Sequence, residues 1–307
     1  MSRALRRTRS GFNPEAMATK LEPIQPTHTP VPAAPAPAAA RGTPAPFRVR
    51  RIGRVNWRGL GALIFKEVRR FIAVGIQTVA APMVTTLLFL AIFTLALGRA
   101  TRMIGDVHFP EFLAPGLIMM AMVQNAFANT SSSIVSSKMQ GNIVDVLMAP
   151  LSPSELCAGF AIGGLVRGLV VGLVVTLTMM PFVHLSVQHW ALALYHAVSA
   201  SMLLSLLGIA GGIWAQKHEQ MAVVSNFIIT PLSFLSGTFY SVTQLPEPWQ
   251  SLAHVDPFFY MIDGFRYAFV GHAEGSLVAG VIIMAAGNVG LWLLCRWMFK
   301  SGYRLKA

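Results

Sequence analysis

Six stretches of this chain, residues 72–97, 112–135, 158–183, 190–215, 221–240 and 276–295, each run for 20 residues or more with one charged side chain among them all, Arg167. A bilayer core about 30 Å thick is crossed by about 20 helical residues at 1.5 Å each. Inside hydrocarbon every backbone N–H and C=O must find its partner within the protein, which leaves helices or closed barrels. The runs are too long for barrel strands and do not alternate apolar with polar. The fold class read from them is all-α integral membrane, with six transmembrane helices. Several runs exceed the bilayer thickness, so tilts or kinks are expected, with Pro82 and Pro231 as the kink points.

Composition agrees. The chain is 54% hydrophobic and 12% charged, about half the charge of a soluble protein, which excludes a soluble enzyme. Its formal net charge of +12 suggests nucleic acid, but fourteen of the 24 Lys and Arg precede Phe71, so no basic domain remains to bind it. Two cysteines, Cys157 and Cys295, make neither a disulfide framework nor a Cys-rich metal site.

The chain divides in two by composition. Residues 1–55 are a basic, Pro/Ala-rich tail with eight prolines between Pro23 and Pro46, a pattern of disorder and partial polyproline; residues 56–307 are the membrane domain. The tail has no apolar signal region, and Met17 is a candidate later start. From Asn56 to Arg70, Trp57, Leu60, Ile64, Val68 and Phe71 recur at helical spacing beside Arg58, Lys66, Arg69 and Arg70, the pattern of an amphipathic interface helix or of a basic flank to the first span. With the N-terminus in the cytoplasm, inner segments hold 20 basic residues and outer loops three (Arg99, Arg102 and Arg266), so both termini are expected inside.

There is no nucleotide-binding P-loop, no H-E-x-x-H, no G-x-S-x-G and no dinucleotide fingerprint, and the histidines are scattered singly, which suggests no metal site. An uphill transporter of this kind needs a partner or an ion gradient. All 12 acidic residues lie in the tail, the loops or at span edges, which weighs against proton or sodium coupling. A lipid-modifying membrane enzyme would need clustered carboxylates, and only the scattered outer acids are available for that. Arg167, alone within a span, either contacts a phosphate or anionic cargo, or snorkels or pairs with a neighbouring helix. Asn125, Asn129, Ser132, Ser133 and Ser136 form a polar stripe that either lines a cargo path or packs helices. Gly164, Gly168 and Gly172 form a ladder suited to close helix packing. The aromatic-rich stretch between Tyr240 and Ser276 is too apolar for a free loop and reads as broken helices dipping into the outer leaflet, with Pro246, Pro248 and Pro257 as breaks.

The inner loop is the most informative segment. Ile143, Val146 and Leu147 share a helical face, Asp145 lies on another, Pro150 stops the turn, and Ser152-Pro153-Ser154-Glu155 starts the next helix. This loop, with a glycine, an acid and then Leu147-Met-Ala-Pro-Leu-Ser152, resembles the coupling segment of the ABC transporter type-2 permeases, although Met139-Gln140 stands where charged residues are expected. Lys66-Glu-Val-Arg-Arg-Phe71 with Gln77 and Pro82 is similar to that family's surface helix running into its first span. Phe234-Leu-Ser-Gly-Thr-Phe-Tyr240 with Leu245-Pro246 is similar to its fifth-span signature. Asp256-Pro257 with Asp263-Gly-Phe-Arg266 is similar to its outer re-entrant segment before the last span. The resemblance covers residues 57–300. It implies a permease subunit of a bacterial inner-membrane exporter that pairs with a second permease chain and with a separate ABC ATP-binding subunit. That subunit would hold the ATP and Mg, so this chain needs no cofactor, and the cargo would be amphiphilic. It further implies that Lys66, Glu67, Arg69, Arg70, Gly141, Asp145, Leu147, Pro150 and Glu155 couple to the ATPase. Asp256, Pro257, Asp263 and Arg266 would form the outer region, and Asn125, Asn129, Ser132, Ser133, Ser136 and Arg167 are the candidate cargo path.

Overall fold

A computed structural model of the chain describes residues 53–96, 103–104 and 107–305. The tail reading, and the outer-loop residues Arg99 and Arg102, lie outside these residues apart from the tail's last three positions. Helices dominate: α1 (Trp57–Ala73), α2 (Gly75–Ala96), α3 (Phe109–Met139), α4 (Ile143–Met148), α5 (Pro153–Met179), α6 (Trp190–Trp214), α7 (His218–Val224), α8 (Thr230–Leu235), α9 (Glu247–Val255), α10 (Pro257–Val270) and α11 (Leu277–Ser301). A two-residue hairpin, β1 (Met103–Ile104) with β2 (Val107–His108), is antiparallel and sits in the connection between α2 and α3, outside the long helices.

Among the described residues, five helices are long and apolar enough to cross a membrane: α2, α3, α5, α6 and α11. The run read as a fifth span is helical from His218 to Leu235 but interrupted by a π-helical turn at Ser225–Ile229. Pro231 explains the position of the break. It has no N–H to give and its ring crowds the turn before it, and the Thr230 N–H reaches back five residues to the Ser225 carbonyl. Pro82 lies inside α2, where the Thr86 hydroxyl donates to the Pro82 carbonyl at 2.7 Å.

The long helices differ in depth. α3 is the axis of the bundle, 78% buried over its most apolar window, whereas α2 and α11 are 11% buried and show Ile76, Leu95, Val278 and Ile282 to the outside. In water so exposed an apolar face would be unstable; in lipid it is the preferred surface. The glycine ladder is the reason α5 can lie close on α3 and α6. A Cβ on Gly168 would come within 2.9 Å of the Ser201 hydroxyl and 3.1 Å of the Met122 carbonyl, and one on Gly164 or Gly172 would strike Ser205 or Met122. Gly208 on α6 meets Thr130 and Phe127 of α3 in the same way. Two apolar clusters follow. One gathers α3, α6 and α10 towards the hairpin end, and the other joins Leu63, Ile143, Phe160, Ile213 and Phe299 at the opposite end, under α1 and α4.

Candidate functional site: a seam between the interface helix and the bundle

At the α4 end of the bundle, α1 begins with a side-chain cap: Asn56 Oδ1 accepts from the Gly59 N–H at 3.0 Å. The same asparagine donates from Nδ2 to the Pro150 carbonyl at 3.1 Å, and its backbone N–H donates to Glu155 Oε1. The other Glu155 oxygen accepts from the Ser152 N–H at 2.6 Å, and Ser152 Oγ accepts from the Glu155 N–H at 3.3 Å. This is a capping box at the start of α5, with Pro153 in the first turn as expected. One carboxylate therefore ties the beginning of α1, the end of the α4 loop and the beginning of α5 into one unit. Glu155 is buried and its oxygens are committed to backbone donors, so it joins elements and does not meet a partner.

α1 then lies along α5. Its inward stripe is Leu63, Glu67 and Phe71, four residues apart, with Leu63 seated on Gly159 and Glu67 on Gly163. This corrects the expected face: Trp57 is 74% exposed and stands with Phe65 and Ile72 on an outward apolar stripe. Glu67, which the resemblance places among the coupling residues, does not stand on the surface. Glu67 is completely buried; it accepts from the Ser133 hydroxyl at 2.8 Å, and its second oxygen accepts from Arg70 Nε and an Arg70 terminal nitrogen at 3.3 and 3.2 Å. Arg70 extends over α3, donating to the Asn129 carbonyl at 2.7 Å, Asn129 Oδ1 at 3.0 Å and Ser132 Oγ at 3.3 Å. Lys66 Nζ stands 3.9 Å from Glu67 and is half-exposed, and Arg69 is exposed.

The polar stripe of α3 therefore divides. Asn129 and Ser133 are buried beneath α1 as partners of Arg70 and Glu67, and Ser136 meets His218 Nε2 of α7 at 3.2 Å. Asn125 and Ser132, with Gln124, face a cavity of about 640 Å³ between α2, α3 and α5, into which Arg70 and Arg167 both project. Arg167 donates to Asn125 Oδ1 at 3.0 Å, so it pairs across helices and does not snorkel.

The α4 loop projects from this seam. Gly141 closes α3 with φ of +76°, a conformation that favours glycine, and its N–H donates to the Lys138 carbonyl. Lys138 Nζ donates to the Ile213 and Ala215 carbonyls, both at 2.6 Å, closing the C-terminal end of α6. On α4, Ile143 is buried, Val146 and Leu147 are half-buried against the lower cluster, and Asp145 is exposed, as the spacing predicts. Met148, 79% exposed, and Val144 complete the outward face, and the sequence reading missed both. Pro150 is exposed.

The outer region is built differently. Asp256 caps α10, accepting from the Phe258 N–H at 2.9 Å and from Ser236 Oγ at 2.7 Å. Burial raises its pKa above the usual aspartate value, and those two hydrogen bonds oppose the rise. Pro257 follows as the first residue of α10. Asp263 accepts from the Glu274 and Gly275 N–H groups, both at 2.9 Å, and Glu274 accepts from the Val242 N–H at 2.8 Å. Arg266, almost fully buried, donates to the Phe112 and Gly237 carbonyls at 3.1 and 2.6 Å and lies 3.8 Å over the Phe112 ring. Among the described residues no ion pair within 4.0 Å joins Arg266 to these acids. Phe112 carries part of this network without having been singled out in the sequence.

The ABC-2 type transporter family profile matches residues 58–270, from the first turn of α1 to the end of α10. The chain belongs to the ABC-2 type transporter family. It is 37% identical over 254 residues to the inner membrane transport permease YadH of Escherichia coli strain K12, covering 82% of this chain and 98% of that one. It is 26% identical over 206 residues to nodulation protein J of Rhizobium leguminosarum bv. viciae, covering 61% and 73%. It is 24% identical over 183 residues to the probable multidrug ABC transporter permease YbhR of Escherichia coli strain K12, covering 56% and 47%. As an ABC-2 permease with several apolar helices, the chain is a multi-pass inner-membrane transport protein.

Proposed function

We propose that this permease is the membrane half of an ATP-driven exporter. It works as a pair of identical chains, with a separate ATP-binding subunit docked on the end formed by α1 and α4. That subunit carries the ATP and Mg, and this chain does no covalent chemistry. In this reading the broken helix 218–235 is the fifth of six spans and α9–α10 dip back into the outer leaflet. Both termini face the cytoplasm, Lys66 and Arg69 border the docking surface, and the outward stripe of α1 rests in lipid. The exposed face of α4 carries the proposal. Val144, Asp145 and Met148 point out of the bundle while Ile143, Val146 and Leu147 hold the helix down. A push on that face reaches α1 through Pro150 and Asn56 and reaches α5 through Glu155. The cargo reading is an amphiphile; the relatives with printed roles include a probable multidrug permease.

Met148→Glu tests this. Co-expressed with the ATPase that serves it, the variant should insert and melt as the parent does, within about 0.5 kcal/mol for a surface change. It should lose most of the transport-stimulated ATP hydrolysis. Unchanged stimulation, or hydrolysis by the purified permease alone, would overturn the reading. Transport that stops with an uncoupler while ATP is held constant would favour a gradient-driven carrier instead.

A further inference from the structure

The cavity between α2, α3 and α5 has an unbalanced charge. Two guanidinium groups, Arg70 and Arg167, stand in its lining, and no acidic side chain does. Arg70 is answered by Glu67 beneath it, by Asn129 and by Ser132. Arg167 is not: it has one neutral partner, Asn125 Oδ1, and its buried Nε has none. Arg167 is half-buried, and burying a cation without a counter-charge is costly even after the surroundings relax. The rest of the wall supplies neutral hydrogen-bonding groups suited to an oxyanion, among them Gln77, Gln124, Thr78 and Thr85.

The position of the cavity says how the anion arrives. One wall is α2, whose outer face is open to lipid. Arg167 lies 14 residues into α5 from Pro153, about 21 Å along the axis. Arg70, near the end of α1, stands in the same lining, so the cavity runs from the interface helix into the bundle. A volume of about 640 Å³ admits a headgroup and falls within the size range of small-ligand pockets.

We infer that this cavity is a binding site for the phosphate-type oxyanion headgroup of an amphiphile, held by Arg167 with Arg70 at its edge. The inference rests on the reading of the chain as a conduit and names the chemistry of what it accepts.

The full chain in phosphatidylcholine nanodiscs, titrated with spin-labelled phosphatidic acid, tests it. The wild type should immobilise the acidic lipid in preference to spin-labelled phosphatidylcholine. Arg167→Gln should weaken that preference by about tenfold, the loss of one charge-assisted contact, and Arg167→Lys should largely restore it. Asn125→Asp provides a second route that keeps the arginine: it sets a built-in counter-ion where Oδ1 now accepts, so the chain stays folded and the preference falls by a similar factor. No preference in the wild type, or an equal preference in Asn125→Asp, overturns the site. Displacement of the lipid by inorganic phosphate at equal concentration would make it a site for the free ion and overturn the amphiphile assignment. The assay contains no ATPase. Lipid preference combined with failure of the Met148 test would sink only the exporter reading, and the reverse would sink only this site.

Discussion

The two ends of the bundle both bury charge and resolve it differently. At the outer end each charged group is spent on backbone near it. Asp256 and Asp263 accept N–H groups, and Arg266 feeds two carbonyls and a ring. Such a cluster closes the loops between α8 and α11, and Glu274 Oε1 stays buried in it with no hydrogen-bond partner among the described residues. At the α1 end Glu155 and Lys138 are likewise held by backbone groups, but Glu67 and Arg70 of α1 meet Asn129, Ser132 and Ser133 of α3 side chain to side chain across two helices. Contacts of that kind can be exchanged when one helix moves, because no element has to unfold for them to break. The Asp256–Arg266 cluster is fixed mainly to backbone, and the Glu67–Arg70 cluster rests mainly on side-chain contacts.

The largest test of that contrast is Arg266→Met. It leaves the Phe112 and Gly237 carbonyls buried and unmatched, and should cost about 3 kcal/mol or more of stability. Thermal unfolding in detergent measures it, and a shift of a degree or less would show that the outer cluster is not what holds that end. Glu67→Gln should cost about 2 kcal/mol, since it keeps the Ser133 contact and leaves Arg70 without its ion pair. Its signature is faster proteolysis near α1 and weaker ATPase stimulation with the bundle intact. Loss of the whole fold would mean that these contacts cannot break without unfolding the bundle. Asp263→Asn should cost about 1 kcal/mol, because one amide oxygen replaces two carboxylate acceptors. It should leave ATPase coupling untouched, and impaired coupling at full stability would erase the distinction between the ends.

The sequence read α4 correctly because a short helix between a glycine and a proline is governed by its own spacing: Ile143, Val146 and Leu147 inward, Asp145 outward. Ser152 and Glu155 were legible as a helix start for the same reason, a capping box being complete within four residues. Glu67 was not legible in the same way. A carboxylate among Lys66, Arg69 and Arg70 looks like part of a charged surface, and only Ser133, 66 positions away, shows that it faces inward. The run 221–240 was readable as apolar, but the π turn at Ser225–Ile229 comes from the backbone answering Pro231. Aromatic content flagged the outer stretch, and its prolines marked the helix starts; the partners of its acids are backbone groups that no composition reveals.

The sequence by itself determined that this chain is a multi-pass helical membrane protein of the ABC-2 type. Run length, charge placement and loop motifs are local properties, and hydrocarbon leaves the backbone few alternatives. Only the tertiary structure decided which polar residues are spent and which stay available. Arg70 and Arg167 are both arginines beside apolar runs. One found a carboxylate on its own helix and the other faces a cavity with an amide, a difference set by how closely glycine lets α5 approach α3.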